Sequence, residues 1–302
     1  MISEASIAAI SNGNIRAISR AITGIENEHP DYLDLLKYLP FNNTPVIGFT
    51  GPPGAGKSTL ISAILSHLNT LNKRVAVIAV DPSSPFNQGA LLGDRLRMNE
   101  HYLLPNVFIR SMATRGSLGG LAPKVFEVCD LLKCANFDYI FIETVGVGQS
   151  EVEIAALADT TVLVLVPEAG DEIQTIKSGI MEIADVFVLN KSDRNGADIF
   201  YRNLVQLAHQ TANKDWEIPV LQTIANNKKG IEKLMDAIVA HQQSQHHHEK
   251  KIELLVKKAI NLITQSRIKD LVPAEIKKSI ETEFGENFNL YRFVKKYIPS
   301  TK

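Results

Sequence analysis

GPPGAGKS, residues 51–58, fits the pattern G-x-x-x-x-G-K-[ST], and its flanks decide the architecture. Before it runs VIGFT (46–50), unbroken in apolar and β-branched character; after it, Ser58 to Leu71 reads as a helix closed by Asn72. A buried strand feeding a glycine-rich loop and then a helix makes a phosphate cradle. Gly51, Gly54 and Gly56 permit the tight turn, successive N–H groups point inward, and the helix adds its positive end. Lys57 supplies a point charge to the β- and γ-phosphates and the Ser58 hydroxyl can ligate Mg2+, with Ala55 and Thr59 completing the loop. A glycine-rich turn without a ligand is the plainer alternative.

The same texture continues outward. RVAVIAVD (74–81), VFIRS (107–111), YIFIETV (139–145), TTVLVLVP (160–167), VFVLNKSD (186–193) and PVLQTIA (219–225) read as strands separated by helical segments. Runs without in/out alternation imply burial on both faces, as in a parallel sheet covered by crossover helices. The fold class is therefore α/β, a doubly wound, mostly parallel P-loop domain over residues 45–240. Residues 1–44 form an N-terminal helical extension: Ile15, Ile18, Ile22 and Ile25 recur at intervals of three and four, and a shorter helix spans Asp31 to Tyr38. Residues 241–302 form a C-terminal helical extension. Ile231, Leu234 and Ile238 carry the helical period out of the domain, and Ile252, Leu255, Ala259 and Leu262 continue it along a basic tail. HHHEKK (246–251) reads as a solvated helix, because three adjacent helix positions point in different directions and cannot converge on one ion.

Composition sets the other bounds. The 302 residues are 45% hydrophobic and 22% charged, which excludes disorder and fibres. With 32 basic and 33 acidic side chains there is no net field to draw nucleic acid or anionic lipid. No run approaches a membrane span, and no basic segment followed by an apolar core suggests a secretory signal. Two cysteines, Cys129 and Cys134, share one helical stretch and suit neither a disulfide framework nor zinc, so a reducing cytoplasm is expected.

Base identity is carried by NKSD (190–193), which follows the sixth apolar run. An aspartate carboxylate at Asp193 accepts from guanine N1–H and the exocyclic amine, donors that adenine does not pair. Asn190 braces the pocket and the Lys191 stem covers the ring. Ile224-Ala225 stands where a Ser-Ala pair would read guanine O6, leaving the Ala225 amide for that contact. Carboxylates at strand ends supply the metal and hydrolysis shell: Asp81 closes the second run, Glu143 the fourth, and Asp94 lies in the loop GDRLRM. Gly146, three residues after Glu143, offers its N–H to the γ-phosphate. A carboxylate that merely caps a helix or turn is the alternative for each.

VDPSSPF (80–86), GDRLRM (93–98), SLGGLA (117–122), ETVGVGQSE (143–151), AGDEIQTIKSGIMEIAD (169–185) and NKSD, with RAISRAI (16–22), together resemble the MeaB/ArgK family of methylmalonyl-CoA mutase-associated GTPases. The resemblance implies a SIMIBI-class GTPase that turns GTP into GDP and phosphate, slowly alone and faster with its partner. It would act as a chaperone gating cofactor loading and protecting an adenosylcobalamin-dependent acyl-CoA mutase. It further implies that Lys57 and Ser58 hold phosphate and Mg2+, and that Asp81, Asp94 and Glu143 form the magnesium and switch shell. Glu168 to Lys177 would form an additional switch loop in which Asp171, Glu172 and Lys177 respond to nucleotide and partner. A homodimer built through the C-terminal helices is implied more weakly. Glu168 replaces a glycine usual in the family and adds a negative charge. Two other classes compete: an ATPase or kinase linked to arginine/ornithine transport, against which NKSD argues, and a metal-insertion GTPase. The latter needs a Cys/His relay that residues 44–145 lack.

Overall fold

The computed structural model describes residues 4–40, 42–81, 98–113, 124–144, 154–170, 183–211, 216–268, 273–283, 292–293 and 296–297. These fall into two compact units, residues 1–252 and 253–302. In the first, seven strands form one sheet: β1 (Val46–Thr50), β2 (Val75–Asp81), β3 (Val107–Ala113), β4 (Tyr139–Glu143), β5 (Thr160–Leu165), β6 (Val186–Leu189) and β7 (Val220–Gln222). Their order is β3-β2-β4-β1-β5-β6-β7, and every pairing is parallel.

Successive residues of β2 and β4 feed opposite cores, so both faces of the sheet are apolar there. Ile47, Phe49, Val75, Val77 and Phe141 pack on one face with Leu60, Ile61 and Ile64 of α4 (Lys57–Thr70). Phe200 and Leu204 of α6 (Ala197–Thr211), and Leu234 and Ile238 of α7 (Ile231–Gln242), join that core. Val46, Ala76, Ile78, Ile140 and Ile142 face the other way, toward Val128 and Leu132 of α5 (Val125–Lys133). The second core is completed by Ile18, Ile22 and Ile25 of α2 (Ile15–Glu26), whose start is capped by Asn14 Oδ1 accepting from the Ala17 amide at 3.0 Å. The N-terminal helices therefore cover one face of the sheet. Ile15, at the end of the apolar stripe, is 40% exposed. Helix α1 (Glu4–Ser11) has no strong apolar period and was not expected, and α3 is confined to Pro30–Leu35.

Within the sheet, the sequence reading and the structure differ at the strand ends. β4 stops at Glu143, β5 at Leu165 and β6 at Leu189, while β7 retains only three residues. Asn190 and Thr223 follow the apolar runs directly: their amides still donate to the Leu165 and Leu189 carbonyls at 2.8 and 2.9 Å, while their side chains bond to loop partners and to one another.

HHHEKK corrects the expectation of a solvated helix. It opens α8 (Gln245–Ile268), and after a turn closed by the Ser244 hydroxyl on the His241 carbonyl (2.6 Å) its first residues return to the sheet. His246 and His247 are half-buried. His247 Nδ1 lies 3.3 Å from the Asp159 carbonyl, and Lys250 Nζ donates to Asp185 Oδ2 at 2.5 Å. Further along α8, Ile252, Leu255, Val256, Ile260 and Ile263 are each about half exposed. In the second unit, α9 spans Pro273–Glu283, Lys296 donates to both Glu283 oxygens at 2.6 and 2.7 Å, and Phe293 packs on Tyr297.

Candidate functional site

All seven strands run the same way, so β1, β2, β4, β5 and β6 deliver their following residues to one edge. β1 is where crossover directions diverge, with β4 on one side and β5 on the other. Ligands of open α/β sheets sit in that crevice. The phosphate loop rises from it. Gly51 has φ 137°, and a Cβ there would lie 2.1 Å from the Val164 carbonyl of β5. Glycine is thus required both by conformation and by the neighbouring strand.

Lys57 is 6% exposed, and its ammonium folds back over the loop, donating to the Gly51 carbonyl at 2.7 Å and the Pro52 carbonyl at 3.2 Å. Ser58 Oγ donates to Glu143 Oε1 at 2.6 Å. The first turn of α4 and the end of β4 thereby bring a hydroxyl and a carboxylate together in a buried position. In β2, Ala79 pairs with Glu143, which places Asp81 two residues further toward the same edge. Thr144 continues the cluster, its amide donating to the Phe49 carbonyl at 3.1 Å.

The base-reading motif touches this loop directly. Asn190 is buried, its Nδ2 donates to the Ala55 carbonyl at 2.9 Å, and its Oδ1 accepts from Thr223 Oγ1 (3.1 Å) and the Ala225 amide (3.2 Å). One side chain therefore ties the phosphate loop to the segment after β7. Gly56, at φ 88°, lies against it: a Cβ would sit 2.5 Å from Asn190 Nδ2. Lys191 adopts φ 56° and donates to the Gly54 carbonyl at 2.7 Å, so its stem lies across the loop. Asp193 is exposed beside these residues. Thr223 was not singled out from sequence; its carbonyl accepts from the Ser192 amide (3.2 Å) and hydroxyl (3.1 Å), holding NKSD in place. The signal available was its position just ahead of Ile224-Ala225.

Of the candidate residues, Gly51, Gly54, Ala55, Gly56, Lys57, Ser58, Glu143, Asn190, Lys191 and Ala225 come together at this edge, with Thr59 next in α4. The side chain of Asp81, and Asp94, Gly146, Asp171, Glu172 and Lys177, lie outside the described residues. Glu168 does not carry an uncompensated charge: Arg194 Nη1 binds its Oε1 at 2.5 Å and holds the carboxyl below its ordinary range. Both side chains are about half exposed, so the pair contributes little to stability.

Comparison with known proteins gives consistent results. A protein of Pyrococcus horikoshii named as a GTPase is 42% identical over 286 residues, covering 93% of this chain and 89% of its own. The mouse protein named methylmalonic aciduria type A homolog, mitochondrial, is 41% identical over 199 residues, 64% of this chain and 48% of that one. Among solved structures, one described as a LAO/AO transport system kinase superposes with a TM-score of 0.68 at 26% identity, covering 98% of both chains. The family model described as methylmalonyl Co-A mutase-associated GTPase MeaB matches residues 18–278, from α2 through the whole sheet into α9. A guanine-nucleotide-binding P-loop site on a parallel sheet, matched by that model over most of its length, places the chain in the MeaB family of GTPases.

Proposed function

We propose that this GTPase acts as a nucleotide-gated chaperone of an adenosylcobalamin-dependent acyl-CoA mutase. The observation that carries the reading is the extent of the match to a family described as methylmalonyl Co-A mutase-associated, which takes in most of α2 and all of α3 as well as the nucleotide site. The mouse relative's name points the same way. In this reading Lys57 leaves the Gly51 and Pro52 carbonyls for the β- and γ-phosphates, the loop amides hold the phosphate oxygens, and Asn190, Asp193 and the Ala225 amide read guanine. Water attacks the γ-phosphorus, the bond to the β-phosphate oxygen breaks, and GDP and phosphate leave.

The donor set also fits Mg2+, which takes oxygen ligands. Ser58 Oγ and Glu143 Oε1 already lie 2.6 Å apart, and Asp81 ends the adjacent strand. Ser58, Glu143, Asp81 and Asp94 would hold the ion, which would neutralise phosphate charge. Glu143 and Gly146 would position water and γ-phosphate. Among the described residues the side-chain contacts to the loop come from Lys57, Asn190 and Lys191 and not from an arginine, so hydrolysis by the isolated protein is expected to be slow, with a partner supplying or positioning the missing charge. The half-exposed apolar stripe of α8 supports a role for that helix as an arm between two copies.

Two results are expected. GTP is preferred over ATP by at least about tenfold, because adenine leaves the Asp193 carboxylate without its paired donors, and Asp193→Asn moves the preference toward xanthosine triphosphate. Competition binding with the three nucleotides reads this, and equal affinity of the wild type for GTP and ATP would refute the base assignment. Second, the cognate mutase accelerates hydrolysis severalfold or more, and Lys177→Ala removes most of that stimulation while GTP affinity stays within a few-fold. Partner coupling of this kind is reciprocal, so nucleotide must change mutase affinity by the same factor. Failure of every cobalamin mutase to stimulate the wild type would sink the chaperone reading.

A further inference from the structure

The opposite end of the sheet holds a second cluster of chemistry that nucleotide binding does not use. Asp185 immediately precedes β6, so it lies at the N-terminal edge, across the length of the strand from Asn190. Its carboxylate is 5% exposed. Oδ2 accepts from the Thr161 amide at 2.7 Å and from Lys250 Nζ at 2.5 Å. Oδ1 faces two imidazoles: His241 Nε2 of α7 at 3.3 Å and His246 Nε2 of α8 at 3.8 Å. All three ligand atoms lie within 4.8 Å of one another, the one such group of three among the described residues.

The His241 ring is fully buried, and its Nε2 faces Asp185 Oδ1 at 3.3 Å, its one polar contact among the described residues, outside good hydrogen-bond geometry. Its other nitrogen, Nδ1, lies 2.9 Å from Thr160 Oγ1. With Nδ1–H donating to that hydroxyl, Nε2 presents a lone pair to Oδ1 and a cation between the two acceptors satisfies both; in the other tautomer Nε2–H donates to Oδ1, and metal binding displaces that proton. A metal ion suits the spacing. Bonds of about 2.0–2.2 Å in tetrahedral geometry separate ligand atoms by roughly 3.3–3.6 Å, which matches the Asp185–His241 separation and lies slightly under that to His246. Metal-bound histidines are oriented through their second nitrogen, and ligating carboxylates are themselves hydrogen-bonded. Thr160 supplies the first; Thr161 and Lys250 supply the second. Trp216 closes the cluster, its ring packed edge-on to His241 with centroids 4.9 Å apart and its Nε1 donating to the Asp185 carbonyl at 2.8 Å. His246 is 25% exposed and leaves an entry path.

We propose that Asp185, His241 and His246 form a binding site for a first-row divalent transition ion of the zinc type, with a fourth position open to water. Two imidazole nitrogens and one carboxylate select such an ion over Mg2+ or Ca2+, which take oxygen sets. The ion would fasten the first turn of α8 to the foot of β6 and the end of α7. Only His246 of the histidine run takes part, which agrees with the rule that adjacent helix positions diverge. Lys250 is the competing cation, since its ammonium holds the other oxygen of the same carboxylate.

The test is a Co2+ titration of the untagged, metal-stripped full-length protein in excess Mg2+ and GDP, which occupies the nucleotide site. One equivalent of cobalt is expected to give the intense visible absorption of a four-coordinate ion, displaced by Zn2+. His246→Ala weakens binding at least tenfold, Lys250→Met tightens it severalfold, and His209→Ala, on exposed α6, leaves it unchanged. Circular dichroism verifies that each variant is folded, and Zn2+ raises the melting temperature of the wild type but not of His246→Ala. Absence of the four-coordinate spectrum, or equal affinity of the wild type and His246→Ala, overturns the site.

Discussion

Lys57→Ala is expected to lower GTP affinity by at least about a hundredfold while the chain stays folded. The ammonium is buried against the phosphate loop, and charge-assisted hydrogen bonds are worth roughly 1.5–3 kcal/mol each, so two to phosphate oxygens correspond to that loss or more. The folded state has little at stake. Alanine is a strong helix former at the first position of α4, and the Gly51 and Pro52 carbonyls lose one donor that water can replace at the loop surface. Calorimetry with GTP and a denaturant titration of the same variant separate the two effects. Undiminished affinity would mean that the loop does not hold phosphate.

Asn190→Ala should damage both stability and binding. Asn190 is 1% exposed, and its removal leaves the Ala55 carbonyl, the Thr223 hydroxyl and the Ala225 amide without their shared partner. Unsatisfied buried polar groups cost about 1–3 kcal/mol each, partly relieved by water, so a loss of roughly 2–4 kcal/mol in unfolding free energy is expected. Guanine-nucleotide affinity should fall with it, because the phosphate loop and the base-reading segment lose their common tie. Asn190→Asp probes the link to the phosphate loop, since it keeps the two acceptor contacts but sets a buried carboxylate oxygen against the Ala55 carbonyl in place of the donor. If Asn190→Ala were as stable as the wild type, the three bonds would carry no net free energy.

The sheet was legible because a parallel, doubly covered sheet demands continuous apolar strands, and every strand from VIGFT to VFVL carries one. The phosphate loop and NKSD were legible because their chemistry fixes residue types at fixed spacing. Strand ends were not: Asn190 and Thr223 follow apolar runs without interruption, and only the tertiary contact between their side chains decides where the strands end. Helix α1 escaped notice for the opposite reason, since eight residues of weak periodicity carry little local signal. The histidine run was misjudged because a polar helix start reads as solvent-facing unless its partner is known. Asp185, 61 residues before His246, reads only as the last letter of a loop until the fold puts it underneath.

The crowding of Gly56 against the Asn190 amide bears on how nucleotide is exchanged. The grip on phosphate and the grip on base are joined by a bond from Asn190 Nδ2 to the Ala55 carbonyl and another from Lys191 to the Gly54 carbonyl. A displacement of residues 190–191 is therefore transmitted to the carbonyls of the loop that cradles the phosphates, and a pull on that loop is transmitted back. On the proposed reading of the site, release of GDP would be one cooperative opening rather than independent unlatching of its two ends, and a partner prying at either end would empty the whole site.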